Sequence, residues 1–260
     1  MKSNISVILP VIELNEKTDK FFDNAIKSIS SQIVKPDAVL IVAKSDEGLL
    51  KKLTDFDYGE ITSIVKIIEN TGDTDVCSQI NLGVSKTETE WFSFLEMDDE
   101  YSKIWFKNVV EYRKHYEVDL YMPMIVDIDN NGKFMGFMNE AVWANEFSDE
   151  MGKLDIDSLL SYQNFNMDGM VMRKSTFEEM GGLKSNIKLT FIYEFLLRLC
   201  NNSVPIMVIP KLGYKHINQR DGSLFATYKT EMDNEESVFW LEKAKSEYYY
   251  DYQREITYEK

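Results

Sequence analysis

Trp91-Phe92-Ser93-Phe94-Leu95-Glu96-Met97-Asp98-Asp99-Glu100 joins a short apolar run to an acidic turn. The run is aromatic, brief and bounded by charge, which reads as a buried strand. Three similar runs precede it: Ile5 to Leu9, stopped by Pro10; Ala38 to Val42, after Pro36; and Ile64 to Ile68. Helical patterns separate them. Phe22, Ile26, Ile29 and Ile33 trace one helix face, with Thr18 or Asp19 as its cap. Leu49, Leu50 and Leu53 mark a short helix, and Asp75 to Lys86 a third that buries Val76 and Ile80. Strands alternating with helices give an α/β fold with a mostly parallel sheet and right-handed crossovers. A strand order of 3-2-1-4 makes the first and fourth strands neighbours. Ligands bind beyond the carboxyl ends of strands at such a switch point. Those ends carry Pro10-Val11-Ile12-Glu13 and the Glu96–Glu100 turn.

Further along, Trp105, Val109, Tyr112 and Tyr116 form a helical stripe, and Asn130-Asn131-Gly132 is a hairpin turn into 133–138. Residues 140–152 read as an irregular loop. Gly169 to Met172 is a short strand, and a helix from Lys174 stops at Gly181-Gly182. Leu189 to Cys200 is a helix, Val204 to Ile209 the last strand, and Thr227 to Tyr252 a long charged helix. The expected organisation is one α/β domain over 1–225 and a helical C-terminal tail over 226–260.

The 260 residues are 44% hydrophobic and 13% aromatic, enough to build a core and to exclude general disorder. The net charge of −15 argues against non-specific nucleic-acid binding and against adhesion to anionic membranes. Cys77 and Cys200 cannot make a disulfide framework and form no Cys-x-x-Cys, so they read as buried thiols in a reducing compartment. The apolar stretch from Ile5 to Val11 is too short for a signal segment, and no run of about 18 apolar residues exists to span a membrane. A cytoplasmic protein is expected.

The segment from Ile80-Asn81-Leu82-Gly83 to Glu100 resembles the central motif of GT-A glycosyltransferases of the family-2 type. In that motif an Asn-x-Gly helix precedes a hydrophobic strand ending in Asp-x-Asp-Asp. Ile5-Ser6-Val7-Ile8-Leu9-Pro10 is similar to the family's first strand. Ser28-Ile29-Ser30-Ser31-Gln32 with Lys35-Pro36-Asp37 is similar to its first helix and turn, Glu69-Asn70-Thr71-Gly72 to its third loop, and Met180-Gly181-Gly182-Leu183 to its Gly-rich landmark. The likeness extends over residues 4–223. Three positions depart from the pattern. Ala43-Lys44-Ser45-Asp46 stands where the family has Asp-Asp-Gly-Ser, Glu96 replaces the first Asp, and Phe191 and Ile192 occupy the usual Glu-Asp before Arg198.

The resemblance implies transfer of a sugar from a nucleoside-diphosphate donor, by default a UDP-sugar, to a glycan or glycoconjugate acceptor, with inversion. It implies Mn2+ or Mg2+, since a divalent ion neutralises the diphosphate leaving group. By its pattern Asp99 is a direct metal ligand, Asp98 contacts ribose or the metal's water, Glu96 supports them, and His216 completes the shell. Pro10, Val11 and Glu13 wall the nucleoside pocket, with Lys44 at the base-reading place and Asn81 and Gly83 near the nucleotide. Lys215 and Arg220 either pair with the diphosphate or are solvated. Two acids can replace the missing base. Asp168 precedes a strand and is otherwise a turn former, whereas Glu194 is otherwise an i,i+4 partner of Arg198. His216 is otherwise a surface or packing residue, and Tyr248-Tyr249-Tyr250 packs the tail, joins two copies as a homodimer or offers a platform to a sugar. Two other functions stay open. One is a catalytically silent module that binds glycans or partners. The other is a nucleotidyltransferase, disfavoured because residues 10–20 hold no Gly for a phosphate loop.

Overall fold

Pairing of the four N-terminal apolar runs makes the centre of the sheet. β1 (Ile5–Val11) lies parallel to β2 (Ala38–Lys44) on one side and to β4 (Trp91–Phe94) on the other, and β2 pairs in parallel with β3 (Val65–Asn70). The order 3-2-1-4 expected from the alternation is therefore present. The computed structural model describes residues 2–140, 154–161, 164–218 and 234–248.

Three helices cross between these strands: α1 (Asp19–Ser30), α2 (Glu47–Asp55) and α3 (Val76–Lys86). Asp46 and Asp75 cap the last two by accepting hydrogen bonds from Leu49 N and Ser78 N. Asp46, in the altered motif after β2, is thus a helix cap. Thr18 holds the N-terminal position of α1 but makes no side-chain cap bond, and α1 ends before Ile33, which is 57% exposed.

The second half completes the sheet. β5 (Glu100–Tyr101), α4 (Trp105–Tyr112), β6 (Leu120–Ile128) and β7 (Phe134–Met138) are followed by α5 (Ile156–Ser161), β8 (Val171–Arg173), α6 (Lys174–Glu179), α7 (Phe191–Asn201), β9 (Ile206–Ile217) and α8 (Asn234–Glu247). Among the described residues the order is β3-β2-β1-β4-β8-β6-β9-β5, with β7 on β6. β8 runs antiparallel to both β4 and β6, while β6 and β9 are parallel. The β6–β7 hairpin turns at Gly132, whose φ of 78° suits glycine. Gly181 and Gly182, at φ 78° and 70°, end the α6 turn as the sequence expected.

β9 departs from the sequence reading. It runs to Ile217, past Pro210 and Gly213, and is accommodated by register shifts in β6 around Met124. His216 therefore sits within the last strand, not after it. Of the charged helix expected over 227–252, only residues 234–248 are described, and Asn234–Glu247 of them are helical. There Ala244 is buried and Leu241 and Tyr248 pack onto the core beside α7. The expected loop over 141–152, Arg220, Tyr249 and Tyr250 lie outside the described residues.

Two apolar layers flank the sheet. Ile5, Val7, Leu9 and Val11 point to one, with α1, α2 and α4; Ile8 points to the other, with α3, α6 and α7. Val11 can wall a ligand pocket only through its backbone, because its side chain is core. Gly83 belongs to the second layer as well. A Cβ there would lie 2.5 Å from Ile8 Cγ2 and 3.1 Å from Val42 Cγ2. Its bareness lets α3 lie on the sheet, which corrects the expectation that it approaches a nucleotide. Ile8 is β-branched and buried, so it cannot swing aside. Gly83→Ala is expected to lower stability by about 1–3 kcal/mol through overpacking, read as a shift of the urea midpoint at constant slope.

Candidate active site

The acidic turn after β4 is held from three directions. Leu95 N donates to Ile8 O of β1, Asp99 N to Glu96 O, and Glu96 N to the Tyr214 hydroxyl at 3.2 Å. β5 then pairs with β9, Glu100 opposite Lys215 and Tyr101 opposite Tyr214. That pairing delivers His216 to Asp99. Asp99 Oδ1 accepts from Ile217 N at 2.9 Å, and Oδ2 lies 3.0 Å from His216 Nδ1. Asp99 is fully buried, and the burial is tolerable because both oxygens are satisfied.

Asp168 enters from the loop before β8. Its Oδ2 is 3.9 Å from His216 Nδ1 and accepts from Asn166 Nδ2 at 2.5 Å. Asn166 N donates to Asn139 Oδ1, and Asn139 Nδ2 donates to Pro123 O and Asn166 O. Asn139 is buried with φ 61°, a left-handed geometry that Asn tolerates better than most residues. Gly169, at φ 69°, has no room for a side chain: a Cβ would lie 2.3 Å from the Tyr214 ring. Trp105 Nε1 fixes the same turn by donating to Gly169 O at 2.7 Å.

One ligand atom each from Glu96, Asp99 and His216 lies within 4.8 Å of the others. Two carboxylates and an imidazole suit Mn2+ better than Mg2+, which keeps to oxygen ligands. The electrostatics fit a cation. Burial, then Asp168, Asp99 and Asp98, raise the Glu96 carboxyl well above its usual range. Burial pushes Asp168 up to about 7, with Asp99 and Asp98 adding to it against the opposing His216 and Asn166. Burial alone would lower His216, but Asp99, Asp168 and Glu96 outweigh it and raise the imidazole to about 11. Ligation by His216 requires loss of that proton, and a dication supplies the replacing charge.

Asp99, His216 and Asp168 thus lie together in the structure. Glu96, expected only in support, is the third member of the ligand cluster. Asp98 is buried beside it and acts on the Glu96 and Asp168 charges, but it is not one of the three. Pro10 is half-buried and Glu13 exposed just beyond β1, and Lys44 is half-buried at the end of β2. Lys215 pairs with Glu100.

Two expectations are corrected. Glu194 is fully buried between Lys184 at 2.9 Å and Arg198 at 2.8 Å, and Arg198 also donates to Met180 O and Gly182 O. A carboxylate committed to two cations inside the core cannot serve as a base. Asn81 is likewise engaged: its Nδ2 donates to Leu183 O at 2.8 Å and its Oδ1 accepts from Leu183 N at 2.9 Å. Both residues clamp the Gly181-Gly182 turn. The sequence reading missed Asn139, Asn166 and Tyr214, isolated residues that belong to no periodic pattern.

Glu194→Leu removes the buried carboxylate that Lys184 and Arg198 share and is expected to cost about 3–5 kcal/mol, measurable by urea unfolding. A pH test addresses the acidic cluster. Asp168 rises from 3.8 unfolded to about 7, and His216 from 6.5 to about 11, so the folded chain binds more protons than the unfolded one. Stability in chelator should therefore fall as pH rises through these windows. Asp168→Asn should flatten the limb below about pH 7 in urea midpoints taken across pH.

The sequence model described as Glycosyl transferase family 2 matches residues 6–181. No curated protein matches the chain. Among solved structures, S. aureus TarS 1-349 in complex with UDP superposes with a TM-score of 0.61 at 14% identity, covering 84% of this chain and 60% of that one. TarS 1-349 in complex with UDP-GlcNAc gives 0.62 at 14% identity, over 87% and 61%. At this identity the likeness is one of fold, and the chain spans about 60% of the length of those structures.

Proposed function

Because this chain belongs to glycosyl transferase family 2, we propose that it moves a sugar from a UDP-sugar donor to a hydroxyl of a glycan or glycoconjugate acceptor, with a divalent cation and inversion at the anomeric carbon. The observation that carries this reading is the convergence of Glu96, Asp99 and His216 at the carboxyl end of the sheet. The UDP and UDP-GlcNAc held by the TarS structures support a uridine donor.

Glu96, Asp99 and His216 would hold Mn2+, which neutralises the charge on the departing diphosphate. The Ile217 N–H fixes one Asp99 oxygen, so that carboxylate is preorganised. Pro10, the Val11 backbone and Glu13 bound the nucleoside, with Lys44 on the neighbouring strand end. Asp168 is the base. The acceptor oxygen forms a bond to the anomeric carbon as the bond to the diphosphate oxygen breaks. UDP leaves with the electron pair, and the hydroxyl proton passes to Asp168. Burial raises the Asp168 carboxyl and so strengthens it as a proton acceptor, while a dication held by the neighbouring cluster would oppose that rise. The two free cysteines fit action in the reducing cytoplasm.

A silent binding module is the second reading, favoured by Phe191 and Ile192 where the family has its Glu-Asp. The same experiments separate the two. UDP should bind at least tenfold more tightly with Mn2+ than with chelator, and Asp99→Ala should abolish the difference. Equal affinities by calorimetry reject the nucleotide site. Asp168→Asn should keep UDP affinity and lower transfer by about 100-fold or more, the scale of a general base. UDP binding without any turnover on a donor panel selects the silent module.

A further inference from the structure

Tyr214 of β9 is buried where three parts of the site meet. Its hydroxyl accepts from Glu96 N at 3.2 Å and so holds the first residue of the acidic turn. Its ring lies against Gly169, where a Cβ would stand 2.3 Å from Cδ2 and 2.9 Å from Cγ. Gly169 directly follows Asp168, so the ring is the seat on which the loop carrying that carboxylate turns. Along β9, Tyr214 and His216 are alternate residues and project from the same face. One side chain therefore holds the backbone of a cation ligand, bears on the neighbour of the base and stands two residues from another cation ligand.

The ring is packed so that it cannot yield. Tyr101 stands opposite it across the β5–β9 pair, and the two rings meet edge to face at 5.6 Å and 80°. Trp105 Nε1 fixes the Gly169 turn by donating to Gly169 O at 2.7 Å. A close-packed ring cannot leave one of these contacts without disturbing the others. Burial, then Asp99, Asp168 and Glu96, hold the phenol well above its usual range, so the hydroxyl stays neutral among the three carboxylates.

Packing accounts for the ring but not for the hydroxyl, which a phenylalanine would do without. The hydroxyl answers to Glu96. We propose that Tyr214 is a positioning residue that ties the cation site to the base: its hydroxyl sets Glu96 for the cation, and its ring sets Asp168 for the acceptor's proton. This rests on the transferase reading above, in which Glu96 holds Mn2+ and Asp168 is the base. Fixing Glu96 by a bound cation also fixes the ring and, through Gly169, the base loop. The link is reciprocal, as any coupling between two sites must be.

The test uses the full chain and two variants that separate the two contacts. Mn2+ binding is titrated by electron paramagnetic resonance. Turnover is followed against Mn2+ on a UDP-sugar panel, and amide hydrogen exchange is read by NMR without metal. Tyr214→Phe keeps the ring and loses the hydroxyl. It should weaken Mn2+ about threefold or more, the scale of one hydrogen bond, and excess Mn2+ should recover most of its turnover. Exchange at the Glu96 amide should quicken, while Met170 N, which donates to Met167 O in the base loop, keeps its protection. Tyr214→Leu removes the ring as well. It should weaken Mn2+ similarly, quicken exchange at Met170 too, and lose about tenfold or more in turnover that no excess of Mn2+ recovers, because the base is misplaced. Wild-type Mn2+ affinity in Tyr214→Phe overturns the inference, even if both variants melt at lower temperature. So does a Tyr214→Phe enzyme that excess Mn2+ fails to restore. If Tyr214→Leu does not fold, the three measurements on Tyr214→Phe decide. A wild type that binds no Mn2+ rejects the metal-dependent transferase reading and this inference with it, whereas Mn2+ binding unaltered by Tyr214→Phe rejects the inference alone.

Discussion

A fully buried carboxylate, Asp99, is the constraint around which the C-terminal half of the sheet is arranged. Removing a charge from water costs several kcal/mol unless hydrogen bonds and an opposite charge replace the lost hydration. Asp99 is compensated by Ile217 N and His216, both from β9. For β9 to reach them it must extend 12 residues and slip its register against β6. β5, only two residues long, exists to pin the turn to that strand. Tyr214, Gly169 and Trp105 then interlock beneath it: the glycine makes room for the tyrosine ring, and the tryptophan fixes the glycine's carbonyl. The site's geometry and the sheet's irregularity have one cause.

The N-terminal half was legible because its physics is local. Apolar runs of five residues, helical stripes and prolines at strand ends specify β1 to β4, and crossover handedness fixes their order. The acidic turn after β4 could be read for the same reason. β9 could not be read to its end, because Pro210 and Gly213 look like a terminus. Gly213 is in fact required by Trp105, whose ring would lie 2.4 Å from a Cβ there. The approach of Glu96 to His216 was not legible because it depends on that unseen pairing.

Glu194 and Gly83 show the limit of single residues. The i,i+4 spacing made Glu194–Arg198 visible as an ion pair, but not Lys184 or the carbonyls of Met180 and Gly182 that complete the network. With Asn81 on Leu183, these contacts tie α3 and α7 to one turn. Phe191 and Ile192, at the positions of the family's acids, pack against the second apolar layer. The start of α7 has thus become part of the core while its Arg keeps a structural role.

Asn139 makes the ends of an excursion meet. Its N–H donates to Asn164 O at 3.0 Å and its side chain joins Asn166, so the chain leaves and returns at a single staple just upstream of Asp168. Part of what lies between is itself anchored: Leu159 of α5 is fully buried and its carbonyl accepts from the Tyr193 hydroxyl of α7. The position of Asp168 is therefore set by ties to β6, through Asn139 and Pro123 O, and to α7, rather than by the length of the chain between Asn139 and Asn164.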